Sequence, residues 1–346
     1  MPRYRLAFLG FGNVGQALAR LLLRKRSQIE EDYKISFSVV GISTRHHGSA
    51  IVPKGISLEK ALEVMGSQEN SSSPSLSVLS KKSLPDDSLE FIRQCEADVL
   101  FENTPVNYQT GQPAIDHLQL ALELGMHAIT ANKGPVVHAY RHLTKLADSK
   151  DRKFFFESSV MDGAPIFSLF RNALPGARLR SFHGILNSTT NLILGRMESG
   201  ESFDQAVAYA QSIGIAETDP SGDIDGWDAA VKVAALVTVL MELPLTPDQV
   251  DRQGIRSISQ ADIVEAQQHG YRWKLVCSAD REKRGINARV APEMVPPESP
   301  LYRIGGTTST IQFETDVLGS LSITETDPGP HTTAYGLLAD FINAIR

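Results

Sequence analysis

Residues 4–15 read YRLAFLGFGNVG. Tyr4–Leu9 is an apolar run suited to a buried strand, Gly10-Phe11-Gly12-Asn13-Val14-Gly15 follows it, and Gln16–Lys25 then carries apolar residues at helical spacing. Strand, GxGxxG and helix in that order predict a dinucleotide-binding turn, since the motif gains its meaning from those flanks. The three glycines answer three needs: a tight turn at Gly10, a close backbone approach to pyrophosphate at Gly12, and close packing of helix on strand at Gly15. Asn13 and Val14 complete the turn, and the helix N-terminus beyond it offers unpaired N–H groups and a partial positive charge to the phosphates.

Outward from that turn, strand and helix patterns alternate. A second strand, Ile35–Ile42, ends in Ser43-Thr44-Arg45, where an NAD site commonly has a carboxylate for the ribose 2′-hydroxyl. Without that carboxylate, and with Arg45 able to pair with a 2′-phosphate, the residues favour NADP over NAD; the alternative for Arg45 is a solvated loop charge. Ala97–Phe101 is a strand closed by Glu102-Asn103-Thr104-Pro105, Pro113–Leu124 a helix stopped by Gly125, and His127–Thr130 a strand ending in Ala131-Asn132-Lys133-Gly134-Pro135. Val136–Lys150 reads as a helix and Phe154–Glu157 as a strand. Ligands of an open parallel sheet sit beyond the carboxyl ends of its strands, so Gly12, Thr104 and Lys133 belong to one edge. The expected fold is α/β, a Rossmann-type doubly wound parallel sheet over residues 1–150. Between Gly66 and Ser88 the pattern lapses, with Ser71-Ser72-Ser73-Pro74 and Lys81–Ser88 reading as loop.

The totals bound the function. A net charge of −6 and a pI near 5.9 argue against nucleic acid as the main partner, which usually meets a basic face. The apolar runs are too short and too interrupted by charge for a membrane span. Although basic residues precede the first apolar run, it enters the glycine turn and lacks a small-residue cleavage site, so it is not read as a signal peptide. Cys95 and Cys277 have no CxxC partner and are expected as buried thiols of a reducing compartment, the cytoplasm.

The second half concentrates its chemistry in residues 216–232, AETDPSGDIDGWDAAVK, with five carboxylates and a closing lysine. Setting Gly226 at the sixth position of an EF-hand loop brings Lys232 to the twelfth, where a bidentate glutamate is needed, so a calcium loop is excluded. Asp228 and Lys232 are four apart on the expected helix Trp227–Leu240 and share a face. Standing alone, such a pair is usually a surface salt bridge, but Val233-Ala234-Ala235-Leu236-Val237 does not describe a surface helix.

GFGNVG, TANKGP, ESSVMDGAPI, GILNSTTN, AETDP and DIDGWDAAVK stand in the order found in homoserine dehydrogenases, and the sequence resembles that family over most of its length. The resemblance implies the short, monofunctional form without a regulatory domain, with residues 151–330 as an α+β substrate-binding and dimerisation domain. The C-terminal helix, 331–346, is expected to pack back on the first domain. It implies reversible hydride transfer between NAD(P) and L-homoserine or aspartate 4-semialdehyde, and a homodimer. By the same resemblance Lys232 is the acid/base residue, Asp228 orients it or binds substrate, Glu217 and Asp223 hold the amino acid's polar groups, and Lys133 is a second functional lysine. Family members can hold a monovalent cation such as Na+ on backbone carbonyls, here those of Glu157, Val160, Asp162 and Ala164; a plain strand-to-helix turn capped by Asp162 is the alternative.

The sequence departs from the family at Ser188, where glycine is usual, at Met161-Asp162-Gly163, and at Asp327-Pro328-Gly329-Pro330-His331, where relatives have a Gly-Ala-Gly loop. These leave two further readings: a related dehydrogenase with another aldehyde or alcohol substrate, and a weakly catalytic nucleotide-binding homologue.

Overall fold

The computed structural model describes residues 1–66, 75–80 and 87–346. Two compact units emerge: Met1–Gly163 with Gly329–Arg346, and Ala164–Pro328.

In the first unit β1 (Arg3–Leu9) leads through the glycine turn into α1 (Asn13–Tyr33), then β2 (Ser36–Ser43) and β3 (Ser49–Ile51). Next come α2 (Leu58–Gly66), α3 (Ser88–Cys95), β4 (Val99–Glu102), α4 (Ala114–Glu123), β5 (His127–Thr130), α5 (Lys133–Ser149) and β6 (Phe154–Phe155). The sheet order is β3-β2-β1-β4-β5-β6, parallel throughout except for the β2–β3 hairpin. Side chains alternate across the pleat, so β1 sends Leu6 and Phe8 to one face and Ala7 and Leu9 to the other. On one face Leu18 and Leu22 of α1 pack with Leu337 and Phe341 of the C-terminal helix; on the other lie Phe91 and Ile92 of α3 and Ala121 of α4. Both faces are covered, which is the doubly wound arrangement.

Several expected boundaries move, each for a local reason. The Asn132 side chain accepts from Gly134 N at 3.0 Å and caps α5, so Lys133 stands on the helix instead of in the loop before it. β6 stops at Phe155, because Glu157–Ser159 turns as a 3₁₀ helix. Within the patternless stretch, Leu76–Leu79 forms a 3₁₀ turn with Leu76 fully buried, and Ser88 opens α3 under an Asp87 cap. Ser71-Ser72-Ser73-Pro74 and residues 81–86 lie outside the described residues.

The second unit opens with a single turn, α6 (Ile166–Ser168), and runs through β7 (Leu179–Ile185), α7 (Ser188–Glu198), α8 (Phe203–Ser212), α9 (Ser221–Ile224) and α10 (Trp227–Leu240). β8 (Asp251–Arg252), α11 (Gln260–Gln268), β9 (Arg272–Glu282), β10 (Gly285–Val295), β11 (Ser309–Thr315) and β12 (Gly319–Glu325) complete it. Its sheet, β12-β11-β7-β9-β10-β8, is antiparallel except at β8. Of the eleven consecutive residues of α10 from Asp228 to Thr238, all but Lys232 are buried, so this is an interior helix rather than an amphipathic cover.

The C-terminal helix, α12 (Pro330–Ile345), starts one residue before the expected 331, with Pro330 at a position that needs no N–H donor. Phe341, wholly buried, meets Tyr4, Phe37 and Phe101 at centroid distances of 6.2, 6.3 and 6.2 Å. No helix among the described residues is long and apolar enough to cross a membrane.

Candidate active site

In the first unit the strand order doubles back between β1 and β4, which opens a crevice at their carboxyl ends. Gly10 has φ +95°, and a Cβ there would stand 2.4 Å from Asn103 O; at Gly15 it would stand 2.7 Å from Gly10 O. Gly12 differs, since nothing lies within 4 Å of where its Cβ would be. Glycine is thus forced at two positions by the protein itself, while the third leaves open space, as a phosphate lying on the turn requires. No side chain caps the start of α1 at Gly12, so the amides of its first turn, beginning with Asn13 and Val14, keep their donors for a ligand. These features fit a dinucleotide.

Thr104 follows β4 and donates from its N at 3.0 Å, and from Oγ1, to Glu102 Oε1. Lys133 is the first residue of α5, beyond β5 on the same edge. Arg45 is exposed in the hairpin turn after β2, held by Thr44 Oγ1 donating to Gly48 O at 3.1 Å and accepting from His47 N at 2.9 Å. That turn brings His46 and His47 beside Arg45 and contains no carboxylate.

The second unit gathers the acid–lysine cluster. Lys232 Nζ lies 2.9 Å from Asp228 Oδ2 and donates to Leu186 O at 2.6 Å. Asn187 Nδ2 donates to Asp228 Oδ2 at 3.1 Å and to Asp223 Oδ1 at 2.7 Å. Asn187 is itself fixed as the N-cap of α7, accepting from Thr190 N at 2.8 Å. Burial, and then the Asp228 carboxylate, hold Asp223 above its ordinary value of 3.8. Asp223, Asp228 and Lys232 together carry one negative charge in excess, in a largely dry setting that a substrate ammonium would balance. Glu217 stands apart: it is exposed, and its backbone carbonyl accepts from Gln211 Nε2 at 3.1 Å. Ser188, the departure from family pattern, opens α7 with its Oγ 3.3 Å from Ser309 Oγ. Behind the cluster Cys277 is wholly buried and its thiol is pushed up to about 12 by burial; Cys95, also buried, is raised to about 11.

The segment from Glu157 to Asp162 is tied to α12, and Asp162 is engaged there rather than capping the turn. Asp162 has φ +42° and its Oδ1 accepts from Thr333 Oγ1 at 2.5 Å, Ser158 Oγ donates to Thr333 O at 2.7 Å, and Glu157 N to Asp340 Oδ2 at 2.7 Å. The Ala164 carbonyl accepts from Ile166 N at 2.8 Å. Among the described residues no group of three or more His, Cys, Asp or Glu is placed to hold a metal ion.

Two family models match the chain: "Homoserine dehydrogenase, NAD binding domain" over residues 10–157 and "Homoserine dehydrogenase" over residues 165–342. The chain belongs to the homoserine dehydrogenase family. It is 34% identical to the NAD(+)-dependent homoserine dehydrogenase of Pseudomonas canavaninivorans, across 99% of this chain and 96% of that protein. Identity to the homoserine dehydrogenase of Methanocaldococcus jannaschii is 35%, across 98% and 97%. A hyperthermophilic archaeal homoserine dehydrogenase solved with NADPH superposes with a TM-score of 0.83 at 28% identity, across 99% of this chain and 98% of that one. As a homoserine dehydrogenase the chain is an NAD(P)-dependent oxidoreductase acting on a CH–OH group.

Sequence reasoning missed the role of Asn187 within GILNSTTN. Its available signal was positional, as an asparagine before Ser188-Thr189-Thr190 has the pattern of a helix cap. Its bridging of Asp223 and Asp228, 36 and 41 residues away, had none.

Proposed function

We propose that this chain interconverts L-homoserine and L-aspartate 4-semialdehyde with Lys232 as the acid/base residue and NADP as the preferred cofactor. The observation that carries the catalytic assignment is the Lys232 ammonium, held by Asp228 and by Leu186 O. An ammonium has three donors, and these two contacts leave one for a substrate oxygen. As the ammonium, Lys232 gives a proton to that oxygen as an alkoxide forms during reduction; in the reverse direction the neutral amine takes the proton from the hydroxyl. Asp228 orients the ammonium, and Asn187 holds Asp228 in place. Asp223 takes the substrate ammonium, relieving a carboxylate that burial disfavours. Glu217, exposed on the loop before α9, is the second carboxylate for the amino acid's polar groups.

The nicotinamide, when bound, supplies or accepts the hydride. Gly10, Gly12, Asn13, Val14 and Gly15 form its phosphate turn, Thr104 and Lys133 its edge of β4 and β5, and Arg45 its adenosine end. Preference for the 2′-phosphate rests on Arg45 with its histidine neighbours and on the lack of a carboxylate in that turn. The carbonyls of Glu157, Val160, Asp162 and Ala164 are the proposed seat of a monovalent cation such as Na+. A homodimer completes the reading; β12 is an open edge of the second sheet, and Val317 and Leu318 at its turn are 70% and 56% exposed.

NADPH oxidation with aspartate semialdehyde is the test. Turnover supports the substrate assignment; turnover with other aldehydes alone, or nucleotide binding with no turnover, would refute it. A higher kcat/KM for NADH than for NADPH would remove Arg45 from the site.

A further inference from the structure

Glu102 is the last residue of β4, has no exposed surface, and took no part in the chemistry above. A carboxylate withdrawn from water persists when other donors replace the water, and here those donors form a closed circuit. Glu102 Oε1 accepts from Thr104 N at 3.0 Å and from Thr104 Oγ1. Glu102 Oε2 lies 2.8 Å from Thr130 Oγ1, which also lies 2.9 Å from Glu102 O. Thr130 Oγ1 accepts from Asn132 N at 2.9 Å, and Asn132 Nδ2 returns to Thr104 O at 3.2 Å and Pro105 O at 3.4 Å. Asn132 Oδ1 accepts from Gly134 N at 3.0 Å, which caps the helix that begins with Lys133. Beneath the carboxylate His117, 2% exposed, places Nδ1 3.8 Å from Oε1, and its Nε2 lies 2.8 Å from Ser88 Oγ at the start of α3.

We propose that Glu102 is a positioning residue for the nucleotide edge, fixing through one buried carboxylate both the loop that presents Thr104 and the helix start that presents Lys133. The inference rests on the functional reading that gives Thr104 and Lys133 to the cofactor and substrate. Strand ends alone fix only Cα positions; the two loops beyond β4 and β5 are locked to each other by side chains of Glu102, Thr130 and Asn132. Thr104 and Lys133 therefore keep one spacing, which is the condition for a preorganised site.

The circuit also predicts which substitutions are tolerated. In Glu102→Gln the retained oxygen can serve both Thr104 donors, while Thr130 turns its hydroxyl to Glu102 O, so this variant should stay within about threefold of wild type in the dissociation constant for NADPH and in kcat. Glu102→Ala should weaken NADPH binding and lower kcat, each by about tenfold or more, because a small displacement of a binding group is costly. Thr130→Val, which keeps the Glu102–Thr104 contacts, should lower kcat more than it weakens NADPH binding.

The experiment combines NADPH titration by fluorescence, steady-state kinetics with homoserine, and amide hydrogen exchange at Thr104 and Gly134 on the full chain. Faster exchange at both amides in Glu102→Ala, rescued in Glu102→Gln, supports the proposal. Folded Glu102→Ala with wild-type exchange and wild-type NADPH affinity overturns it. If that variant does not fold, Thr130→Val decides, and wild-type kcat with wild-type exchange at Gly134 there overturns it. Exchange needs neither substrate nor turnover, so wild-type chain inactive on homoserine would refute the functional reading while leaving this test standing.

Discussion

The side-chain amide of Asn187 donates to Asp223 Oδ1 at 2.7 Å, joining a carboxylate before α10 to the cap of a helix that follows β7 of the second unit's sheet. The same amide reaches Asp228, so one uncharged residue holds two carboxylates at a fixed separation. Asn187→Ala should raise the KM for homoserine about tenfold or more, the cost of leaving buried acceptors without their donor. Steady-state kinetics with saturating nucleotide checks this, and an unchanged KM would mean that Asp223 does not need the bridge.

Lys232→Met keeps the length of the stem and removes the proton. It should lower kcat by about 10² to 10⁴, the usual range for a lost acid/base group, while far-UV circular dichroism and NADPH affinity stay near wild type. A kcat close to wild type would refute the assignment.

Asp223 gives a pH dependence. Its folded value lies above the ordinary 3.8, because of burial first and the Asp228 charge second. Folding therefore takes up a proton between the two values, and the penalty for the ionised carboxylate sets in as pH rises through the folded one. Substrate ammonium favours the ionised form, so kcat/KM for homoserine should be full above the raised value and fall as pH drops through it. Asp223→Asn should abolish that limb and lower kcat/KM throughout; a limb that survives the substitution belongs to another group.

Acid stability should depend on His127. Burial, with Arg152 and Lys153 adding to it, depresses its value from 6.5 to about 4, and its Nδ1 accepts from Lys153 N at 3.1 Å, which needs the neutral ring. The unfolded chain binds a proton at His127 before the folded chain does, so its contribution is present above about 6.5 and is lost as pH falls towards about 4. His127→Asn, which keeps an acceptor there, should narrow the difference in Tm between pH 7 and pH 5. An unaltered difference would show that other groups govern it.

Phe341 reports on the first unit's core. Phe341→Ala removes a fully buried ring between Tyr4, Phe37 and Phe101 and should cost about 3–5 kcal/mol in urea unfolding. A loss below about 1 kcal/mol would mean that the pocket collapses around the alanine.

Much of the first unit was legible because its signals are local. GFGNVG is a turn with its own geometry, His127–Thr130 is bounded by a glycine and a helix cap, and Trp227–Leu240 in the second unit is a long apolar run without proline. β3 was missed because three residues carry no periodicity, and it forms by hairpin pairing with β2. The second sheet was not drawn for a different reason. The central residues of β9, Lys274–Cys277, are buried on both faces, so alternation, the usual strand signature, is absent. Lys274, with no exposed surface, even reads as polar until its Nζ is seen on Asn191 Oδ1 at 3.0 Å and Ile304 O at 2.6 Å. Asp228 and Lys232 were legible through the helical repeat, whereas Asn187 and Glu102 act through contacts that no spacing encodes.

The first unit opens at β1 and is finished by α12, with the whole of the second unit threaded between them. Order of synthesis follows from that. A growing chain presents every residue of the second unit before Phe341 is available to the rings of Phe37 and Phe101, so the nucleotide unit waits, with one face of its sheet covered only in part by α1, until the final helix is made. A chain halted after Pro328 should yield a protease-resistant second unit and a first unit that is digested; equal resistance of both would show that the sheet closes without its last helix.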